Sequence, residues 1–164
     1  DMAFTLTDIH SVLERTLNIV WNELKYKATL HKEYGDIPRT KCNPGQLSQV
    51  FMNLLVNAVH AIATTGEILI KTWSDDRCIF VAISDTGSGI SEENLKRLFE
   101  PFFTTKEVGK GTGLGLPIAY DIMQKHKGDI LVDTEPGKGT TMTVRIPVQE
   151  DEDEPGNDDI AGRR

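Results

Sequence analysis

The sequence contains no uninterrupted apolar run long enough to cross a bilayer, and no signal-peptide pattern near its start. Neither a transmembrane span nor a secretory leader is expected within it. Its two cysteines, Cys42 and Cys78, stand alone in strand-like surroundings. That excludes a disulfide scaffold and the paired spacings of zinc or redox motifs, and leaves buried small residues in a reducing compartment. Basic residues form no stripe, so nucleic acid is not an expected partner. The chain opens DMAF rather than with Met, which reads as part of a longer protein.

What is present is one domain's worth of chain, 164 residues with 38% hydrophobic and 26% charged positions. The net charge of −7 is unevenly placed. Residues 150–164 hold seven acids against two arginines, so five of the seven negative charges lie there. Ile160 is the single large aliphatic residue in that stretch. We therefore expect a folded domain over 1–148 and an acidic, solvated tail over 149–164.

Residues 8–24 place Ile9, Val12, Leu13, Thr16, Leu17, Val20 and Leu24 on one helical face. A strand is expected over 28–34. A second helix should run from about Pro44 to Ala63, with Asn43 as N-cap and Pro44 at its first position. Strands 67–73 and 78–84 form an expected hairpin across a polar turn. A helix is expected over 91–99, beginning at Ser91 and ended by Pro101, followed by a long loop over 100–113. A helix over about 116–127 stops at Gly128, and strands 129–134 and 140–147 flank the turn EPGKG. Helices and hairpin-connected strands mixed in this way predict a two-layer α/β sandwich, with helices on one face of a mixed, mostly antiparallel sheet.

Three stretches carry chemistry. On the second helix Gln46, Gln49, Asn53, Asn57 and His60 fall in a stripe about 80° wide. Asparagine is a mediocre helix former, so two of them one turn apart suggest a polar neighbour. Taken alone, the stripe fits a ligand cavity and a solvent face equally. The segment DTGSGI runs from a strand end into a turn, where Asp85 could accept from an amino group beside Ile90. Gly87 and Gly89 would permit close backbone approach, although an ordinary Asx turn reads the same way. The third stretch, GKGTGLGL, leads into a helix with Pro117 near its first turn. It matches neither the Walker loop nor the dinucleotide fingerprint, because residues of the wrong type occupy the required glycine and hydroxyl positions. Free amides at a helix N-terminus still favour an anion there.

Together these segments resemble the ATP-binding catalytic domain of sensor histidine kinases, within the superfamily of gyrase B, heat-shock chaperone, MutL and histidine-kinase ATPases. NLLVNAVHAI (53–62) looks like the N box, DTGSGI (85–90) the G1 box, FEPFFTTK (99–106) the F box and GKGTGLGL (109–116) the G2 box. The resemblance implies the Bergerat fold, with ATP and Mg²⁺ as cofactors. It implies that Asn57 is the Mg²⁺ ligand, with Asn53 one turn back and His60 where a basic γ-phosphate ligand is common. Asp85 would accept from the adenine amino group, with Gly87, Gly89 and Ile90 beside the base and Thr140 near it through water. Residues 100–113 would form an ATP lid carrying Phe102, Thr104, Thr105, Lys106, Lys110, Gly111, Thr112 and Gly113. Leu114, Gly115 and Leu116 would follow at the helix start. Phe99, Phe102 and Phe103 would anchor the lid, and Lys106 would meet the phosphates.

In hydrolytic relatives a glutamate stands four residues before the Mg²⁺ asparagine. Asn53 occupies that position here and cannot act as a general base. The resemblance thus implies protein-histidine kinase activity, with Asn53, Asn57 and Lys106 as the catalytic set. None of the four histidines, His10, His31, His60 and His126, has the setting of an acceptor. The acceptor is expected on a dimerisation domain elsewhere, a response regulator being served indirectly. A monomeric fragment of a homodimeric, cytoplasmic-facing parent follows from the same resemblance. Two other readings stay open: a nucleotide-binding regulatory module without transfer activity, and an ATPase of the gyrase or chaperone kind.

Overall fold

A computed structural model describes residues 3–101 and 115–149. In chain order the elements are β1 (Thr5–Thr7), α1 (Ile9–Leu24), β2 (Ala28–Tyr34), β3 (Thr40–Cys42), α2 (Pro44–Ala61) and β4 (Gly66–Ser74). They continue with β5 (Cys78–Asp85), α3 (Glu92–Leu95), α4 (Gly115–Lys125), β6 (Asp129–Glu135) and β7 (Gly139–Pro147). Five strands make one sheet in the order β2-β4-β5-β7-β6, and β1 pairs with β3 in a small second sheet. Only the β2–β4 pair is parallel in the main sheet. A parallel pair needs a crossover rather than a tight turn, and here the crossover carries α2.

The period-two pattern sorts the faces. In β7, Thr140, Met142, Val144 and Ile146 are buried while their neighbours are partly exposed. Ile68, Ile70 and Thr72 of β4 do the same. Their apolar members share a core with Ile9, Val12, Leu13 and Leu17 of α1, Leu47, Phe51, Leu54 and Leu55 of α2, and Ala119 and Met123 of α4. Each large aliphatic side chain so buried contributes about 1.5–3 kcal/mol by leaving water. The other face of the sheet is open, with Trp73 stacked on Phe80 at 5.3 Å between ring centres. The molecule is thus the two-layer α/β sandwich expected, with its helices on one side.

Local chemistry sets the helix starts. The Asn43 side chain accepts from the Gln46 N–H at 3.0 Å, capping α2 ahead of Pro44. Asp8 caps α1 through the His10 N–H at 3.0 Å. The α1 helix is further fastened to β2, where the Tyr34 hydroxyl donates to Glu14 at 2.7 Å. Two expectations need correction. The helix expected over 91–99 is α-helical only over Glu92–Leu95. Beyond it Arg97 N–H donates to Asn94 and Leu98 N–H to Leu95, so the chain tightens into turns instead of continuing. The strand β1 was not expected, and β3 only as the strand-like surroundings of Cys42; at three residues each they are too short to show periodicity.

The α4 helix stops as the glycine predicted, with one adjustment. Lys127, not glycine, takes the left-handed position at φ 60°. Gly128 N–H then reaches back to the Met123 carbonyl at 2.8 Å, the long bond of a Schellman ending. Gly128 is required for another reason: a Cβ there would lie 2.1 Å from the Arg145 carbonyl oxygen.

Candidate functional site

The site grows from the end of β5. Asp85 lies opposite Ile68 on one side and Thr140 on the other, and Thr140 lies opposite Thr134 of β6. Because facing residues of paired strands share a side, Asp85, Thr140 and Thr134 form a polar row continuing the apolar rows of Ile83, Met142 and Val132. The row sits where the sheet runs out, so its polar groups border a cleft rather than the core. A cleft of about 230 Å³ at this sheet end is lined by Asp85, Thr134 and Thr140, by their neighbours Asp133 and Thr141, and by Glu135, Lys138 and Gly139 around the β6–β7 turn.

The chain leaves Asp85 through a tightly held loop. Asp85 Oδ1 accepts from the Gly87 N–H at 2.8 Å, the Asx turn that the residue types allow. The backbone at Gly87 presses on the end of α2: a Cβ would lie 2.5 Å from the Ala61 carbonyl oxygen, which also accepts from the Ser88 N–H at 3.1 Å. Gly89, at φ 75°, is equally confined, with a Cβ meeting the Glu135 carbonyl oxygen at 2.3 Å. Burial raises the Asp85 carboxyl above its ordinary pKa, while the Gly87 and Thr140 backbone N–H groups pull it back. Asp85 is half-buried, and a carboxylate has about four lone-pair sites, so it can receive a further donor, as an amino-bearing base requires.

The stripe on α2 divides. Asn53 Nδ2 donates to the Gly115 carbonyl at 2.8 Å, and Asn53 Oδ1 accepts from Gln49 Nε2 at 2.8 Å. Asn53 therefore holds the start of α4 against α2. Asn57, one turn on, is partly buried, and its side chain makes no hydrogen bond among the described residues. His60 is exposed, and its Nε2 lies 3.0 Å from Glu23 Oε2 of α1. Gly115 and Leu116 open α4 beside Asn53, both partly buried. Thus α2 holds the start of α4 at Asn53 and the loop after β5 at Ala61, while His60 turns toward α1. Phe102, Thr104, Thr105, Lys106, Lys110, Gly111, Thr112, Gly113 and Leu114 lie outside the described residues, as does the stretch 150–164.

Two site residues escaped the sequence reading: Thr134 and Gly139. Thr134 was findable only with the β6–β7 register, which pairs it with Thr140. Gly139, at φ 138°, lets the hairpin pass the β5 end, where a Cβ would lie 2.0 Å from the Asp85 carbonyl oxygen.

A two-layer sandwich with an aspartate and glycine turn at the sheet end and an asparagine-bearing helix tied to the start of the next has the build of a nucleotide-binding domain of the ATPase-kinase type. Among the described residues no three His, Cys, Asp or Glu side chains converge to hold a metal. The family model for "Histidine kinase-, DNA gyrase B-, and HSP90-like ATPase" matches residues 42–150. The chain belongs to this family, and within it is an ATP-binding catalytic domain of the sensor histidine kinase kind. Sporulation kinase E of Bacillus subtilis (strain 168) is 44% identical over 126 residues, 76% of this chain and 17% of that kinase. Sporulation kinase C of the same organism is 39% identical over 153 residues, 92% of this chain and 35% of that kinase. The chain thus spans a minor part of the curated relatives it matches. The catalytic domain of histidine kinase ThkA superposes with a TM-score of 0.80 at 28% identity, covering 91% of this chain and 100% of that domain. No helix among the described residues is long and apolar enough to cross a membrane.

Proposed function

We propose that this domain binds Mg·ATP and passes the γ-phosphoryl group to a histidine on a separate helical acceptor domain. The observation that carries the reading is the division of labour on α2. The Asn57 side-chain amide is half-buried and unbonded among the described residues, which suits a neutral oxygen ligand for a hard cation. When bound, Mg²⁺ would neutralise charge on the phosphates, and Asn57 with Lys106 are the residues that would hold the ion and the phosphates. Asp85 receives the base amino group, and Ile90 gives the base an apolar neighbour. Gly115 and Leu116 present helix-start amides to phosphate.

The Asn53 amide supports transfer to a protein rather than to water. Both its ends are engaged, its NH₂ with Gly115 and its oxygen with Gln49. No group at that position can take a proton from water. The acceptor histidine lies on another domain: His126 is buried, and His10, His31 and His60 are each engaged with a neighbour on the same domain. The setting we infer is a homodimeric kinase working on the cytoplasmic side of the cell, with a response regulator downstream.

The test is to mix the domain with a separately expressed histidine-bearing helical acceptor and γ-labelled ATP. Acid-labile label on the acceptor is expected. Steady phosphate release without acceptor at ordinary enzyme rates would overturn the reading in favour of an ATPase. ATP binding without either product would leave only a nucleotide-binding module.

A further inference from the structure

Thr134 is not among the residues that meet nucleotide in the reading above, yet its hydroxyl is fully employed at the site. It accepts from the Ile90 N–H at 2.9 Å, lies 3.2 Å from the Gly139 carbonyl oxygen, and lies 2.8 Å from the Thr140 hydroxyl. A threonine hydroxyl has one proton to give and two lone pairs to receive with. The Gly139 carbonyl can only accept, so it takes the Thr134 proton. The Ile90 N–H can only donate, so it fills one lone pair of Thr134. One place remains, a lone pair, and the Thr140 hydroxyl fills it by donating.

We propose that Thr134 is a positioning residue for base selection: by taking the Thr140 proton, it makes Thr140 a pure acceptor beside Asp85. The Asp85 and Thr140 side chains then offer two acceptors to the 6-position of a purine, and neither offers a donor. A 6-amino group in direct contact with both finds complementary partners there. A 6-oxo group meets only oxygen lone pairs. Asp85 alone would supply one acceptor; the Thr134 relay removes the donor with which Thr140 could rescue a 6-oxo base. Three strands or turns fix the relay at once, since Ile90 follows β5, Thr134 lies in β6, and Gly139 and Thr140 open β7. Burial of Thr140, at 6% exposure, leaves its proton few other partners.

This inference rests on the nucleotide reading, and its test separates the two. Calorimetric Kd values for ATP and ITP, which differ only in the 6-amino/6-oxo edge and its N1 proton, should be compared across variants. Thr134→Val should lower the ATP:ITP preference about tenfold, the change expected on losing one hydrogen bond and gaining a wrong one. Thr134→Ser keeps the hydroxyl and should restore the preference, which a purely structural role for the Thr134 methyl would not do. Thr134→Val added to Thr140→Val should change the preference no further than Thr140→Val alone, since both act through one hydroxyl. An unchanged ATP:ITP ratio in Thr134→Val, independent addition in the double variant, or failure of serine to rescue would each overturn the proposal. If the unaltered domain binds neither nucleotide, the functional reading falls with it.

Discussion

The amide of Asn53 and the carbonyl of Gly115 are joined at 2.8 Å, so the polar stripe of α2 is tied to the first residue of α4. Asn57, one turn along the same stripe, carries no such bond among the described residues. Two asparagines that look equivalent in sequence thus do different work, one mechanical and one available to a ligand. Asn53→Asp replaces the donor with a carboxylate facing a carbonyl oxygen. It should cost about 1–3 kcal/mol in denaturant unfolding, the penalty for an unmatched pair. Asn57→Asp should stay within about 0.5 kcal/mol of the parent, because it breaks nothing inside the fold. Equal costs for the two variants would contradict this division.

Asp85 is the group we assign to the base amino hydrogen. Asp85→Asn removes a charge-assisted acceptor worth about 1.5–3 kcal/mol, which is roughly 10–150-fold in ATP affinity. Calorimetry on the two proteins decides it; unchanged affinity would mean that Asp85 does not read the base.

His126 joins the end of α4 to the start of α2. Its Nε2 accepts from the Asn43 N–H at 3.1 Å, its Nδ1–H donates to the Ile122 carbonyl at 2.9 Å, and Phe4 stacks on the ring at 4.6 Å. Burial holds the imidazole below its ordinary pKa, against a smaller upward pull from the Ile122 carbonyl. The folded state thus favours neutral His126, while the unfolded chain binds a proton below about pH 6.5. Its contribution to stability is complete above that pH and is lost as pH falls below it. Unfolding measured between pH 7 and 5 should weaken in the parent more than in His126→Gln. Parallel pH profiles would show that the ring is not held neutral.

Lys127 occupies a left-handed backbone position at φ 60°, where a side chain is strained and glycine is not. Lys127→Gly should therefore stabilise the domain by about 0.5–1 kcal/mol. The gain should appear as a higher denaturation midpoint with an unchanged slope. A loss of stability would mean that the Lys127 side chain contributes more than its backbone costs.

Much of the site was legible because its residue types are demanding. Asn43 followed by Pro44 marks a helix start in any context, and the α2 stripe can be counted from the helical period. Asp85 at the end of an apolar run into glycines marks a strand exit. What could not be read was partnership. The parallel pairing of β2 with β4 depends on a strand brought in from across α2, and nothing local encodes it. The short strands β1 and β3 exist only because Thr5–Thr7 and Thr40–Cys42 find each other. The helix expected over 91–99 looked continuous in sequence, but its backbone bonds tighten after Leu95.

The sequence by itself determined the family, the layering of helices on a mixed sheet, and which residue types could bind a nucleotide. Those follow from periodicity, capping chemistry and motif order, all of them short-range. Only the tertiary structure decided what each polar group is bonded to. It engages Asn53 with Gly115 and leaves the Asn57 side chain unbonded among the described residues, turns His60 toward Glu23, and brings Thr134 into the site through Thr140. A hydrogen bond needs a partner within about 3 Å, and such partners here come from strands and helices far apart in the chain.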